Sequence, residues 1–193
     1  MKIAITGGIG SGKSYVCRLL AGRGIAIYDC DEAAKRLMRT SDELKHRLCA
    51  LIGSDAYDDE GRLNKPRVAQ FLLASEANAR AIDGIVHPAV ADDFLKSGYD
   101  WMECAILYES GFERLVDRVI VVTAPEEVRI GRIMVRDGIS REKAREWIAR
   151  QWPQEDVRRK ADYEIVNDGK QPLDTQIENI IYLIKKETCN RQS

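Results

Sequence analysis

Several features of membrane and secreted proteins are missing from this sequence. No apolar run approaches the roughly 20 residues that a membrane-spanning helix needs. The 5 cysteines are scattered, odd in number and without a C-x-x-C pair, which favours free thiols in a reducing cytoplasm and disfavours a zinc site. Because the first residues already form a strand pattern, no signal peptide is predicted. We therefore expect a cytoplasmic protein without a membrane partner.

The sequence also lacks internal repeats, low-complexity tracts and a surplus of charge. Lys and Arg number 30 against 31 Asp and Glu, so the net charge is −1. No overall basic field therefore attracts nucleic acid, and we expect no nucleic-acid partner. At 193 residues and 45% hydrophobic content, the chain can bury one core but hardly a second full domain.

The first fourteen residues contain the strongest functional pattern. An apolar run at residues 3–5 predicts a short buried strand, and the residues from Gly7 to Ser14 match the P-loop pattern G-x-x-x-x-G-K-[ST]. Glycines let the backbone turn its N–H groups around a phosphate, and the following helix adds its positive N-terminus. We expect Lys13 to reach the β- and γ-phosphates and Ser14 to offer its hydroxyl to Mg²⁺. The residues predicted here to bind ATP are Gly8, Ile9, Gly10, Ser11, Gly12, Lys13, Ser14 and Tyr15.

The alternative for this stretch is a glycine-rich turn between a strand and a helix that binds nothing. The register of the glycines with Lys13 and Ser14, between a strand and a helical pattern, argues against it. The motif indicates triphosphate binding but leaves the fate of the γ-phosphate open.

Strand and helix patterns alternate along the rest of the chain, which predicts a doubly wound α/β sheet. The predicted strands cover residues 25–28, 101–107, 117–123 and 161–166, and the last helix covers residues 173–187. Residues 40–97 show helical spacing and no strand pattern, so we expect a helical insertion there. Pro88 within the insertion predicts a helix kink or a helix restart.

Acidic residues follow two of the predicted strands. Asp29 and Asp31 follow the second strand and Glu109 follows the third. Ligands of open α/β sheets bind outside the carboxyl ends of the strands, so these acids are expected on the P-loop side. Asp31 could act as a base for a substrate hydroxyl, but either aspartate could instead cap the next helix. His87 also has two interpretations: it could be a functional residue, but a histidine on a helix is usually an ordinary surface or core residue.

An arginine-rich pair of helices is predicted after the fourth strand. Arg129, Arg132 and Arg136 are spaced by three and four residues, which places them near one helix face. Such a hairpin could be a mobile lid over a triphosphate or an ordinary solvated surface.

Taken in order, these motifs resemble the dephospho-CoA kinase family over almost the whole chain. The P-loop and the arginine-rich hairpin are joined by three further family-like segments. The matching segments are TGGIGSGKS at 6–14, YDCD at 28–31, IVHP at 85–88, RIMVRDGIS at 132–140, and Gln151 followed by ADYEIVNDG at 161–169. Two positions depart from the family pattern: Lys35 stands where the family has arginine, and Ala105 where it has proline.

The resemblance implies a P-loop kinase fold with a five-stranded parallel sheet in the order 2-3-1-4-5. It divides the chain into a nucleotide-binding core (1–39, 98–125 and 151–193), a helical CoA-binding insertion (40–97) and a lid (126–150). It also implies phosphorylation of the ribose 3′-hydroxyl of dephospho-CoA by ATP with Mg²⁺, the last step of coenzyme A synthesis. No obligate protein partner is evident.

Carried over position by position, the resemblance implies roles for individual residues. Lys13, Asp31 and Arg136 would be catalytic, with Asp31 as the base. Arg132 and Arg136 would bind ATP from the lid, and Ser14 would bind the metal. The residues implied on the acceptor side are Asp31, His87 and Glu109.

Two rival functions share parts of this pattern. Another small-molecule kinase acting on a nucleotide would have the same architecture. A nucleotide-dependent switch would select guanine with N-K-x-D, but the segment NKPR at 64–67 lacks the aspartate and precedes a helix. The choice of acceptor separates the kinases, and a protein partner would mark the switch.

Overall fold

The computed structural model describes residues 1–192 and shows two compact units. The helical unit is Asp29–Gly98, and the sheet unit is Met1–Tyr28 together with the chain from Tyr99 onward. Among the described residues, no helix is both long and apolar enough to span a membrane.

A five-stranded parallel sheet forms the centre of the fold, in the strand order β2-β3-β1-β4-β5. Ile3 of the first strand pairs in parallel register with Trp101 and with Arg118. The predicted sheet and its order are therefore confirmed. The strands are β1 (Ile3–Thr6), β2 (Ile27–Asp29), β3 (Trp101–Glu103), β4 (Arg118–Thr123) and β5 (Tyr163–Val166).

Helices connect the strands, with short 3₁₀ turns at Ser54–Ala56 and Phe112–Leu115. In the helical unit they are α2 (Cys30–Thr40), α3 (Asp42–Ile52), α4 (Lys65–Ala74) and α5 (Glu76–Lys96). In the sheet unit they are α1 (Lys13–Ala21), α6 (Glu126–Asp137), α7 (Arg141–Ala149), α8 (Gln154–Lys160) and α9 (Leu173–Gln192).

One face of the sheet packs against α1 and α9. Side chains two residues apart on a strand point to the same face, so Ile3 and Ile5 of β1 enter this cluster with Ile120 and Val122 of β4. Ala4 lies between the two isoleucines and is also fully buried. Burial on both faces is the pattern expected for a parallel sheet covered by helices.

The arginine-rich segment forms the predicted helical hairpin of α6 and α7. Gly138 ends α6 in the left-handed conformation, with φ of 65°. Ser140 then caps α7 by accepting a hydrogen bond from the Lys143 amide at 3.2 Å. Ile130 and Ile133 form a small core with α7, and Ile9 of the P-loop packs against it.

The helical unit is built on α5, against which α2, α3 and α4 pack. Val86 and Val90 of α5 are buried on either side of Pro88 in the sequence, and the helix continues through the proline. A restart of the helix at Pro88, one of the two predicted outcomes, is therefore wrong. Packing of the flanking residues outweighs the one backbone hydrogen bond that proline cannot make.

Two boundaries differ from those predicted. The helical unit includes α2, which packs against α5, whereas the predicted insertion starts at residue 40. The third strand ends at Glu103 and not at residue 107. The chain turns after Glu103, with the Ser110 amide donating to the Ile106 carbonyl at 2.9 Å.

Candidate active site

The P-loop connects β1 to α1 in a conformation that requires glycine. Gly12 is left-handed, with φ of 88°, and a Cβ at this position would lie 2.1 Å from Nδ2 of Asn167. No side chain of the described residues caps α1, so its first N–H groups face the loop. A helix N-terminus of this kind attracts anions.

Lys13 and Ser14 converge on one carboxylate at the end of β3. The Lys13 ammonium and the Ser14 hydroxyl both donate to Oε1 of Glu103, the hydroxyl at 3.0 Å. Burial favours the neutral form of Glu103, but the hydrogen bond and charge of Lys13 outweigh it and lower the pKa of the carboxyl. An anionic Glu103 therefore lies beside the two P-loop residues that were predicted to serve the phosphates and the metal.

Arg132 and Asn167 support the second half of the P-loop. Arg132 Nη1 donates to the carbonyl oxygens of Gly10 at 3.3 Å and Ser11 at 3.2 Å, and Nη2 donates to the Asn167 carbonyl at 3.0 Å. Asn167 Nδ2 donates to the Ser11 carbonyl at 2.8 Å. The loop is thereby tied to α6 and to the end of β5.

The backbone of Ile9 is held from both sides. Its N–H donates to Oε1 of Gln151 at 2.7 Å, and its carbonyl accepts from Nε of Arg129 at 2.9 Å. Arg129 is only 4% exposed, and burial lowers the pKa of its guanidinium. These two contacts fix the part of the P-loop nearest to Gly8.

A small pocket opens beside this part of the loop. It is lined on one side by Gly7, Gly8 and Arg129, and on the other by residues that follow β3 and precede α8. Tyr108 and Trp152 stack there with ring centroids 5.8 Å apart and an angle of 8° between the rings. The residues that complete the lining are Thr6, Ala105, Glu109, Val121, Gln151, Gln154 and Val157.

The three arginines of α6 do not act alike, although their spacing predicted a common face. Arg129 and Arg132 reach the P-loop, whereas the Arg136 side chain is 59% exposed and pairs with Asp137 at 2.7 Å. The hydrogen bond that the Arg136 guanidinium donates to the Asp137 carboxylate raises the pKa of Arg136. The structure therefore places Arg136 at the solvent-facing end of α6.

The two aspartates at the junction of β2 and α2 differ in their contacts. Asp29 caps α2, because its carboxylate accepts a hydrogen bond from the Glu32 amide at 3.0 Å. Asp31 lies in the first turn of α2, is exposed and makes no hydrogen bond within the described residues. Capping therefore explains Asp29 and leaves the Asp31 carboxylate available.

His87 belongs to the helical unit, and Glu109 belongs to the sheet unit. His87 is on α5, where Nε2 is 3.5 Å from Oδ1 of Asp83 one turn earlier. Glu109 lines the small pocket, six residues beyond the end of β3. Tyr15 is 48% exposed at the start of α1, with the Arg18 guanidinium 5.5 Å from its ring centroid.

Of the residues predicted to bind ATP, the structure gathers the P-loop residues and Arg132 in one place. Four residues that were not predicted as site residues also contact the P-loop: Glu103, Arg129, Gln151 and Asn167. Gln151 and Asn167 lie in segments that carry the family resemblance, which was the available signal. Glu103 was not predicted as a site residue, because the third strand was predicted to continue past it and Glu103 was therefore not placed at a strand end.

Similarity to known proteins agrees with this geometry. The sequence model of the dephospho-CoA kinase family matches residues 1–172. The chain is 41% identical over 194 residues to the dephospho-CoA kinase of Bacteroides fragilis strain YCH46, a match that covers 96% of this chain and 94% of that protein.

Two solved structures have a similar fold. The crystal structure of TT1252 from Thermus thermophilus matches with a TM-score of 0.78 at 29% identity, covering 97% of both chains. The dephospho-CoA kinase from Campylobacter jejuni matches with a TM-score of 0.65 at 22% identity, covering 99% of this chain and 100% of that one. Because the family match spans most of the sequence, this chain belongs to the dephospho-CoA kinase family and has its activity, the phosphorylation of dephospho-CoA in the final step of coenzyme A biosynthesis.

Proposed function

We propose that the chain transfers the γ-phosphoryl group of ATP to the ribose 3′-hydroxyl of dephospho-CoA. The bond between the γ-phosphorus and the β,γ-bridging oxygen breaks, and a bond to the 3′-oxygen forms. The hydroxyl proton passes to a carboxylate, and ADP leaves. The observation that carries this proposal is the convergence of Lys13 and Ser14 on Glu103 at the uncapped start of α1.

The same convergence supports Mg²⁺ as the metal. The Ser14 hydroxyl and the Glu103 carboxylate are oxygen ligands, which Mg²⁺ prefers, and it usually takes only one or two protein ligands with water and substrate phosphates. This agrees with the described residues, which contain no larger cluster of His, Cys, Asp or Glu suited to a metal. Bound Mg²⁺ neutralises charge on the phosphate oxygens.

The basic side chains would bind and orient the phosphates. Lys13 would exchange its bond to the partly buried Glu103 carboxylate for bonds to the β- and γ-phosphates. Arg132 already supports the loop around Gly10 and Ser11. Arg136 would leave its exposed pair with Asp137 when the lid (residues 126–150) closes over the nucleotide and excludes water.

On the acceptor side, Asp31 would orient the 3′-hydroxyl and accept its proton. Its carboxylate is exposed and makes no hydrogen bond among the described residues, as a base awaiting a substrate requires. His87 and Glu109 would contact the acceptor, and residues 40–97 would form most of its binding surface. The core would comprise residues 1–39, 98–125 and 151–193.

An assay of ADP formation with a panel of acceptors tests the proposal. We expect turnover to require ATP, Mg²⁺ and dephospho-CoA, and to stop when EDTA removes the metal. A dephospho-CoA sample whose 3′-hydroxyl is replaced by hydrogen should bind without turnover. Equal or faster turnover with AMP, CMP or shikimate would overturn the choice of acceptor and favour another small-molecule kinase.

A further inference from the structure

Arg129 is a buried arginine whose hydrogen-bonding capacity is largely unused. It is 4% exposed, and its one side-chain hydrogen bond among the described residues runs from Nε to the Ile9 carbonyl. Its two terminal nitrogens, which carry four N–H donors, have no hydrogen-bond partner and no ion pair in the described part of the chain. Buried charges are normally paired, so this guanidinium is suited to an anion that arrives from outside.

The unused nitrogens lie against the P-loop and beside the small pocket. Nη2 is 2.6 Å from the place that a Cβ on Gly8 would occupy, so the absence of a side chain at Gly8 is what lets the guanidinium approach the loop. Arg129, Gly7 and Gly8 line the pocket together with Gln151. Four donors therefore border a space next to the phosphate-binding loop.

The direction of Lys13 indicates which phosphate is nearest. A P-loop lysine reaches the β- and γ-phosphates, and Lys13 extends towards Glu103 at the end of β3. The pocket beside Arg129 is bordered by Ala105 and Glu109, which follow that same strand. The outer end of the triphosphate and the unused donors of Arg129 are thus on the same side of the loop.

We propose that Arg129 binds the terminal phosphate of the nucleotide, through the terminal nitrogens of its guanidinium beside Gly8. This inference rests on ATP being the phosphoryl donor. The other arginines of α6 are less available in this structure, because Arg132 donates to the carbonyls of Gly10 and Ser11 and Arg136 pairs with Asp137. Arg129 needs no movement of the hairpin to face the loop.

The competing explanation is that Arg129 only holds the Ile9 carbonyl. Binding of ATP and of ADP, measured by calorimetry with Mg²⁺ and without an acceptor, separates the two. Hydrogen bonds to charged groups suggest that Arg129→Gln weakens ATP binding roughly 10- to 100-fold while changing ADP binding only a few-fold. The matched control is Gln151→Ala, which removes the other contact to the Ile9 backbone and should weaken both nucleotides alike.

An equal loss of ATP and ADP affinity in Arg129→Gln would overturn the proposal in favour of the structural role. Should that variant fail to fold, the same question is answered on the wild-type chain by nitrogen NMR of the arginine guanidinium groups, with Arg129→Lys used to assign the signal. We expect the Arg129 signal to shift with ATP and not with ADP, and identical spectra would overturn the proposal. Neither measurement includes an acceptor, so failure of dephospho-CoA as substrate would leave both results valid.

Discussion

The P-loop region and the helical unit hold their charged side chains in opposite ways. Around the P-loop, Lys13 binds a partly buried carboxylate and Arg132 binds backbone carbonyls. In the helical unit, charges such as Lys35 and Arg36 form ion pairs at the surface with Glu32 and Asp93. Exposed pairs of this kind contribute little to stability because water screens them, whereas charged groups held in a partly buried site are preorganised for a ligand.

The difference shows where each part obtains its stability. The helical unit depends on an apolar core and on helix caps such as Ser41 and Ser75. The P-loop region places charged groups where a phosphate is to bind, so removing one should affect function more than folding. Substitutions in the two regions should therefore differ in their effects on turnover and on stability.

Arg136→Ala should lower turnover by about 10³-fold or more, as expected for an arginine that stabilises a transferring phosphoryl group. The side chain is exposed and paired with its neighbour Asp137, so the melting temperature should not change. Arg141→Ala is the matched control, since this exposed lid arginine pairs with Glu127 and faces no proposed ligand. Normal turnover in Arg136→Ala would show that Arg136 has no catalytic role and that this end of α6 is an ordinary solvated surface.

Lys13→Met should lower kcat by about 10²- to 10³-fold, the usual effect of losing one preorganised electrostatic group. It should also lower the melting temperature, because Glu103 keeps its burial but loses the ammonium beside it. Adding Glu103→Gln should restore the melting temperature without restoring turnover. A double variant that melts no higher than Lys13→Met would contradict the role given to this pair.

Asp31→Asn should reduce turnover by about 10²-fold, near the lower end of general-base effects, because a loose transition state removes the proton late. Asp29→Asn is the matched control, since Asp29 caps α2 and asparagine caps a helix as well as aspartate does. We expect both variants to melt like the wild type and Asp29→Asn to stay fully active. Turnover within a few-fold of wild type in Asp31→Asn would show that the base lies elsewhere.

Acid should remove the stability that Glu103 contributes. Although burial favours its neutral form, Lys13 and Ser14 hold the pKa of Glu103 below the ordinary 4.5. The unfolded chain therefore binds the proton first, and the contribution is complete above pH 4.5 and lost as the pH falls through the folded value. Melting temperatures of the wild type should fall more steeply below this pH than those of Glu103→Gln, and parallel curves would refute the assignment.

Ser41→Ala should have the smallest effect and leave turnover unchanged. Its hydroxyl accepts the Leu44 amide at 3.2 Å as the cap of α3, and losing such a cap costs about 1 kcal/mol of unfolding free energy. Denaturant unfolding measures this, with Ser41→Asn expected to match the wild type. A large loss of turnover in Ser41→Ala would show that activity also depends on a helix cap that contacts no proposed ligand.

The features that could be predicted from the sequence are mainly those set by residues close together along the chain. The P-loop and the turn at Gly138 between α6 and α7 follow from local patterns, and the strand order follows from the family resemblance. The end of β3 could not be read in this way, because the apolar residues Ile106 and Leu107 continue the strand pattern while the chain already turns. The three arginines of α6 share one spacing, and only tertiary contacts distinguish Arg129 from Arg136.

The hydrogen bonds that fix the P-loop join residues very far apart along the chain. Ile9 contacts Arg129 and Gln151 across 120 and 142 positions, and Ser11 contacts Asn167 across 156. Contacts between residues so far apart in the sequence close long loops, which slows folding. During synthesis the loop is made well before its partners Arg129, Gln151 and Asn167. A nascent chain that ends before Asn167 lacks this support, so we expect firm nucleotide binding only after synthesis has passed this residue.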